Sequence, residues 1–459
     1  MVHKIKRVGT LLPISALVSK TVESGTFKAG EKFVDWLVKS RQLAWQLLPL
    51  HENQLEKGSK TKHVPSPYKG YGIGLDPRYL SKNDPLPSEE ELQKFVKDNR
   101  YWVAEYALFC ALRDYFGTDS WPDWPAKIHQ RDKTTLAKWE KKLATQIKRN
   151  LVVQAQLHLA YQQLHEHAKL NNILLIGDMP FYLAANSPLV WEYQHLFDIE
   201  PSGQLSRVSG VLWGVKSHFG RQVWGHPLYK WQDKDSLAGI YQLFQIRLKY
   251  LTHFYDLIRF DYANGLFVYG IIDLKEKALD RYEMGPGRPF LEKLIKGARN
   301  LDLKIYAEDT GINLGELRNC LRAHHLAGIK IFRFAYNEKR KIFVDMYLKI
   351  SRYPINTVAY TTTHDTEPLL AYLEKLSSLE VDELMKKLRL NQPMTTRDLA
   401  KAIRAKVIKS PAKIVIIPLQ DWLLTTDRIN IPGTEQEIDD PNWHYQMTTK
   451  IENLPTSFY

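Results

Sequence analysis

Short apolar runs rich in β-branched and aromatic residues alternate along this chain with longer stretches whose apolar residues recur at helical spacing. The longer stretches predict amphipathic helices, among them residues 33–40, 237–251, 290–299 and 314–322. Strands alternating with helices favour a parallel sheet, and eight strands are the number that a closed barrel needs. The sequence therefore predicts an α/β fold, a (β/α)8 TIM barrel. The eight runs that predict its strands are residues 10–12, 44–48, 173–176, 255–261, 303–308, 329–334, 357–361 and 414–417.

Two gaps between the predicted strands are too long for plain crossover connections. Residues 51–171 begin with a loop rich in Lys, Gly and Pro and continue through several helical patterns, and residues 181–232 are dense in Trp and Gly. Long loops of a barrel enzyme emerge at its C-terminal face and carry function. We therefore predict one catalytic barrel over residues 1–459, with a mainly helical insertion at 51–171 and an active-site loop region at 181–232. No separate C-terminal β-domain is expected.

Composition and charge exclude several classes of protein. Apolar residues make up 44% and charged residues 25% of the chain, which is ordinary for a soluble globular protein. The net charge of +13 is spread over helical stretches such as 138–148 without a nucleic-acid-binding module, so no specific nucleic-acid partner is predicted. Cys110 and Cys320 are far apart and show no metal-ligand spacing, which indicates a reducing compartment without disulfides. With no secretory signal and no apolar run of roughly 20 residues, a cytoplasmic protein without membrane contact is expected.

Three acidic residues each stand at the end of a predicted strand: Asp261, Glu308 and Asp365. In a parallel barrel the C-terminal ends of different strands converge on one pocket. Two or three carboxylates in one cleft suit glycosidic-bond chemistry, in which one attacks the sugar carbon and another passes a proton to the leaving oxygen. For any one of these acids taken alone, a surface charge at a strand end stays an equal alternative.

Eight short motifs, spread over nearly the whole chain, carry a further signal. In this combination the chain resembles the 4-alpha-glucanotransferase family, the amylomaltases or disproportionating enzymes of the α-amylase clan. The resemblance implies a glycosyltransferase of the glycoside hydrolase type that acts on maltooligosaccharides or α-glucan, in the metabolism of maltose or glycogen. The motifs are WQLLPL at 45–50, SPY at 66–68, GDMP at 177–180, WGHPLY at 224–229, RFD at 259–261, AED at 307–309, THD at 363–365 and RINIPGT at 428–434.

Carried over to the matching positions, the resemblance implies roles for the strand-end acids. Asp261 is the nucleophile, Glu308 the general acid and then base, and Asp365 the carboxylate that binds sugar hydroxyls and stabilises the transition state. Arg259 lies on the same strand face as Asp261 and is expected to hold it ionised, whereas Glu308 needs a less polar setting. The alternative for Arg259 is a purely structural ion pair. The implied mechanism is retaining, with the two reacting carboxyls roughly 5 to 5.5 Å apart, and it requires no metal or organic cofactor.

The resemblance also implies substrate-binding residues around the acids. His364 would hydrogen-bond the sugar at the cleavage point, and Asp178 would orient the catalytic groups. Tyr68 and Trp224 match residues that contact glucose rings in the family. Arg259 completes this set. Without the resemblance, a tyrosine or tryptophan would be expected to pack in the core.

Several positions depart from the family pattern. Tyr262 and Asn264 stand where the family has His and Arg after the nucleophile, and Thr366 replaces an Asn. The loop at 212–217 differs as well, and Asn186 replaces an Asp. Three hypotheses therefore stay open: an active α-glucan transferase, a hydrolase or a transferase with altered donor or acceptor, and a catalytically silent glycan-binding homologue. The sequence predicts no oligomeric state.

Overall fold

Eight parallel strands form the central sheet in the computed structural model, which describes residues 6–212, 221–390, 393–434 and 442–458. Each strand coincides with one of the eight predicted runs, and the prediction of a (β/α)8 barrel is confirmed. In chain order the strands are β1 (Arg7–Leu11), β2 (Ala44–Gln46), β3 (Leu174–Met179), β4 (Leu257–Phe260), β5 (Lys304–Ala307), β6 (Gly328–Ile331), β7 (Thr357–Tyr360) and β8 (Ile414–Pro418).

The barrel closes between β5 and β6. The ladder runs in the order β5, β4, β3, β2, β1, β8, β7, β6, with every neighbouring pair parallel. At the closing edge the Ala307 N–H donates to the Ala327 carbonyl at 2.9 Å. The Ile329 N–H donates to Asp309 Oδ1 at 2.7 Å. A carboxylate oxygen thus takes the place of a backbone acceptor where the two ends of the sheet meet.

Helices cover the outside of the sheet, and α1 shows how the sequence defines them. The Thr26 hydroxyl accepts the Ala29 N–H at 3.4 Å and caps the first turn. Phe33, Trp36 and Leu37 recur at helical spacing and are buried against the barrel. The helices are α1 (Phe27–Lys39), α2 (Glu89–Asp98), α3 (Val103–Phe116), α4 (Ala126–His129), α5 (Lys133–Lys142), α6 (Ala144–Leu170), α7 (Pro188–Glu192), α8 (Lys234–Leu251), α9 (Gly287–Asn300), α10 (Gly315–Ala323), α11 (Asp345–Leu348), α12 (Leu369–Glu374), α13 (Ser378–Lys387), α14 (Thr396–Ile408) and α15 (Leu419–Leu423).

The interior of the barrel is a packed core. Inward-facing apolar side chains such as Leu11, Ile176, Val358 and Ile416 are at most 1% exposed and contact one another across the barrel. Side chains alternate between the two faces of a strand, so the other face packs against the helices. The inside is filled, and a ligand can bind only at an end of the barrel.

Two excursions build up the C-terminal end. Residues 51–171 contain α2 to α6 and a hairpin of His51–Asn53 with Gly70–Leu75. Helix α6 also packs on α1, where Leu164 contacts Gly30. The division of the chain at the predicted insertion boundaries stays a prediction.

The second excursion forms a small antiparallel sheet. Its strands Arg207–Val211 and Gln222–Val223 pair with each other, Arg207–Val211 also pairs with Val268–Asp273 from the loop after β4, and Val268–Asp273 pairs in turn with Arg281–Met284. In the described part of the chain after α15 there is no further strand. Within the described ranges, no helix combines the length and apolar character that crossing a membrane requires.

Candidate active site

The guanidinium of Arg259, on β4, binds three carboxylates at the C-terminal mouth of the barrel. Its Nη1 lies 2.5 Å from Asp178 Oδ2, and its Nη2 lies 2.8 Å from both Asp261 Oδ1 and Glu308 Oε2. The strands explain this arrangement, since Arg259 pairs with Asp178 of β3, and Asp261 and Glu308 directly follow β4 and β5. The predicted contact between Arg259 and Asp261 is present, and the same cation binds Glu308.

Asp261 and Glu308 are close enough to act on one bond. Because both oxygens lie 2.8 Å from the same nitrogen, they are no further apart than twice that distance. The two side chains are also hydrogen-bonded to each other. Retaining glycosidases hold their carboxyl groups roughly 5 to 5.5 Å apart, and inverting ones roughly 6.5 to 9.5 Å apart. The pair therefore has the close spacing of retaining enzymes.

The protonation of this pair differs from the prediction. Burial raises the pKa of Asp261 well above its usual range. The charge of Arg259 lowers this pKa, and the neighbouring Glu308 raises it further. Burial acts in the same direction on Glu308, but Arg259 and hydrogen bonds from Asp261, Thr310 and the Tyr262 N–H lower its pKa. The Thr310 hydroxyl lies 2.6 Å from Oε1, and the Tyr262 nitrogen 3.1 Å from Oε2. Glu308 is buried, as expected for a general acid, but the donors around it favour its carboxylate form, which the sequence does not predict.

A chain of hydrogen bonds links the Arg259 cluster to the third strand-end acid. The Tyr68 hydroxyl lies 2.8 Å from Asp178 Oδ2 and 2.8 Å from His364 Nε2. His364 Nε2 in turn lies 3.1 Å from Asp365 Oδ2. Asp178 and His364 are 0% and 2% exposed. The hydroxyl of Tyr68 thus connects two buried polar groups that start from different strands.

Asp365 is held as a carboxylate. Its Oδ1 accepts the side-chain amide of Asn430 at 2.7 Å, and its Oδ2 faces His364. Burial alone would raise the pKa of Asp365, but His364, the Asn430 hydrogen bond and Arg259 together lower it to about 2. Asp365 therefore carries a full negative charge throughout the neutral and mildly acidic range.

The variant Tyr68→Phe is expected to lower kcat/KM about ten- to hundredfold, because Asp178 and His364 each lose a buried partner worth about 1–3 kcal/mol. The matched control is Tyr71→Phe, which removes a buried hydroxyl 3.1 Å from Asp119 Oδ2 outside the cavity. The measurement compares urea unfolding with initial rates on maltotriose. Parental kcat/KM in Tyr68→Phe would contradict a positioning role of this hydroxyl.

A cavity of about 960 Å³ opens over these groups. Asp178 and His364, which the sequence also predicts as substrate-binding residues, do not line this cavity and contact the Tyr68 hydroxyl beneath it, so the predicted hydrogen bond from His364 to the sugar stays a prediction. Trp224 and Tyr262 meet edge to face at 4.9 Å on one wall. The predicted site residues that line the cavity are Tyr68, Trp224, Arg259, Asp261, Glu308 and Asp365.

The residues that depart from the family pattern support this site. Tyr262 adopts a left-handed backbone (φ 47°), and its N–H donates to Glu308. The Asn264 amide donates to the Ile312 carbonyl at 2.8 Å and so joins the loops after β4 and β5. The Thr366 hydroxyl accepts the N–H of Thr363 at 3.0 Å and closes the turn around Asp365. Of the altered 212–217 loop, residues 213–217 lie outside the described residues.

Three further residues of the site were not predicted. Thr310 follows Glu308 by two positions, a spacing that could have indicated it. Asn430 lies inside the RINIPGT motif, which was noted without a role. Lys69 donates to the backbone carbonyl of Trp224 and joins two walls of the cavity. Nothing in the sequence indicates that contact.

A (β/α)8 barrel with arginine-bridged carboxylates at the strand ends and an aromatic cavity wall defines an enzyme of the glycoside hydrolase type. The profile of the 4-alpha-glucanotransferase family matches residues 12–84 and 75–451, and the chain belongs to this family.

Individual relatives agree with this assignment. The chain is 26% identical over 502 residues to a 4-alpha-glucanotransferase of Streptococcus pneumoniae, covering 97% of this chain and 94% of that one. It is 25% identical over 467 residues to one of Aquifex aeolicus, covering 94% and 93%. Its fold is similar to that of an amylomaltase from Streptococcus agalactiae in complex with acarbose, with a TM-score of 0.82, 24% identity and coverage of 98% and 96%. An amylomaltase from Corynebacterium glutamicum has a TM-score of 0.74 at 16% identity, with 97% and 73% covered.

Proposed function

We propose that this enzyme transfers α-1,4-glucan segments between maltooligosaccharides by a retaining double displacement, with Asp261, Glu308 and Asp365 as its catalytic residues. The observation that carries the proposal is the single nitrogen of Arg259 that binds both Asp261 and Glu308 at 2.8 Å. It supports a short separation between the nucleophile and the acid, which a covalent mechanism needs. The family membership supports the same reaction.

In the first half of the reaction, Asp261 attacks the anomeric carbon of the donor while Glu308 gives its proton to the bridging oxygen. The carbon–oxygen bond breaks, the shortened glucan leaves with the proton, and a glycosyl ester of Asp261 remains. In the second half, Glu308 takes the proton of a hydroxyl on an acceptor sugar. That oxygen attacks the anomeric carbon and displaces Asp261, so the configuration is retained.

The proton of the pair has to reach Glu308 before the first step. Two interacting carboxyls titrate as a unit, so the position of their shared proton depends on what else contacts them. A donor sugar brings its bridging oxygen to Glu308 as a new acceptor and its electrophilic carbon to Asp261. Both contacts favour the proton on Glu308, and the hydrogen bond between the two side chains provides a direct path for it.

Asp365 and the aromatic wall have complementary tasks. An ionised Asp365 stabilises the positive charge that develops on the sugar ring and accepts hydrogen bonds from its hydroxyls. His364 and Asp178 orient the reacting groups through Tyr68. Trp224 and Tyr262 offer apolar faces to glucose rings, and such contacts favour a sugar over water as the acceptor.

The enzyme is expected to convert maltotriose into glucose and a ladder of longer maltodextrins, because the glycosyl ester is released by another sugar. The measurement is a time course of product sizes together with free glucose. Radioactive glucose added as an acceptor separates transfer from hydrolysis, because only transfer incorporates the label into the oligomers. Release of reducing ends without longer products would indicate a hydrolase, and an unchanged substrate would contradict the proposal.

We further propose that the enzyme works in the cytoplasm on maltose-series sugars or glycogen. Cys110 and Cys320 are both buried free thiols, which supports a reducing compartment.

A further inference from the structure

Outside the carboxylate cavity, a glutamate, a cysteine and a histidine converge between α9 and α10. The thiol of Cys320, the imidazole of His324 and the carboxylate of Glu292 have ligand atoms that all lie within 4.8 Å of one another. Cys320 and His324 are four residues apart, so they share one face at the end of α10, and Glu292 faces them from α9. Thiolate, imidazole and carboxylate are the ligands that Zn²⁺ takes in proteins.

The geometry is close to that of a bound ion. His324 Nε2 lies 2.9 Å from Glu292 Oε1. Around a tetrahedral Zn²⁺ with bonds of about 2.0 to 2.3 Å, neighbouring ligand atoms are about 3.3 to 3.6 Å apart. The contact between His324 and Glu292 would widen by a few tenths of an ångström, and the sulfur would approach by about an ångström or less.

Burial separates an inner ligand from two outer ones. Cys320 is 0% exposed, whereas the side chains of Glu292 and His324 are 36% and 26% exposed. The thiol of Cys320 is thus the inner ligand. The side chains of Glu292 and His324 are exposed enough to turn toward solvent and admit the ion. Arg288 Nε donates at 2.7 Å to Glu292 Oε1, the same oxygen that faces His324, so an ion has to share this carboxylate with a guanidinium.

We propose that Glu292, Cys320 and His324 form a structural Zn²⁺ site, with water as the fourth ligand. On binding, Cys320 releases its proton to solvent and the three side chains contribute a thiolate, a carboxylate and a neutral imidazole. Helix α9 precedes β5 and α10 follows it. The ion would therefore fix both helices that flank β5, the strand that Glu308 directly follows, and it takes no part in sugar transfer.

The test uses the untagged full chain after treatment with a chelator. Co²⁺ is titrated in first, because a bound cobalt thiolate gives a charge-transfer band in the near ultraviolet, and Zn²⁺ is then added to displace it. We expect one equivalent to bind, with the thiolate band present, and Zn²⁺ to raise Tm. Cys320→Ser and His324→Asn are expected to lose the band or to weaken binding about tenfold or more.

Two variants serve as matched controls. Cys110→Ser removes the other buried cysteine, and His325→Asn changes the neighbouring exposed histidine, whose left-handed backbone (φ 53°) an asparagine tolerates. Both should bind Co²⁺ like the parent. A parent chain without the thiolate band, or Cys320→Ser with parental affinity, would overturn the zinc site. Neither result bears on sugar transfer, which is assayed separately on maltotriose.

Discussion

The variant Asp261→Ala is expected to fold and to lose sugar transfer, with kcat lowered about 10⁴-fold or more, because the anomeric carbon no longer meets a nucleophile. Arg259 keeps two carboxylate partners in this variant, Asp178 and Glu308, so its charge stays compensated. The measurement is the initial rate on maltotriose beside thermal unfolding. Asp382→Ala, which removes an exposed acid on α13, is the matched control and should retain parental turnover.

Azide can separate the two roles by stereochemistry. With an α-glycosyl fluoride as donor, Asp261→Ala should form a β-glycosyl azide, because azide enters from the face that the aspartate has left. Glu308→Ala should form the α-azide, because Asp261 first makes the glycosyl ester and azide then displaces it. The fluoride leaves without a proton, so the missing acid does not prevent the first step. A β-azide from Glu308→Ala, or none from either variant, would contradict the assigned roles.

The variant Arg259→Met is expected to lose both activity and stability, with a stability loss of about 3–5 kcal/mol at pH 8, because three buried carboxyls lose their cation. Without the guanidinium, the folded-state pKa values of Asp178 and Asp261 rise further above their unfolded values, and the lowered pKa of Glu308 rises as well. While these carboxyls are protonated, the folded protein does not have to bury their charges. The cost of burying the charges develops as the pH rises through the raised pKa values. The stability deficit should therefore be larger at pH 8 than at pH 5, as measured by urea unfolding.

Arg247→Met is the control for this pH dependence. Arg247 is equally buried, but its guanidinium donates to the carbonyl oxygens of Pro180 and Phe181. Its loss should cost stability by an amount that changes little between pH 5 and pH 8. A stability deficit of Arg259→Met that is as independent of pH as that of Arg247→Met would contradict the role of Arg259 in compensating the charges of the three carboxyls.

The parts of the site that follow from local periodicity were predictable. Strands are short apolar runs, and each of the three acids ends one, so the convergence of Asp261, Glu308 and Asp365 followed from counting strands. Arg259 and Asp261 share a strand face because they are two residues apart, and their contact follows directly. Asp261 and Glu308 directly follow the observed strands β4 and β5, whereas β7 ends at Tyr360 and Asp365 lies in the turn beyond it.

The electrostatic setting was not predictable, because it depends on loop conformations. One donor to Glu308 is the N–H of Tyr262, which adopts a left-handed backbone that a sequence does not show for a tyrosine. Asn430 reaches Asp365 from a distant loop, and Tyr68 reaches Asp178 from the excursion after β2. Such contacts join segments far apart in the chain, and no local pattern encodes them.

The carboxylate that closes the barrel has an evolutionary consequence. Asp309 is next to Glu308 in the chain. It accepts one hydrogen bond from the Ile329 N–H of β6 and another, at 2.7 Å, from the side chain of Arg318 in α10. The loop position beside Glu308 thus also joins β5 and β6, the two strands at the ends of the ladder. Natural variation at this position is constrained by the architecture as well as by the chemistry, so lineages that acquire new acceptors should change the loops after β3 and β4 sooner than this one.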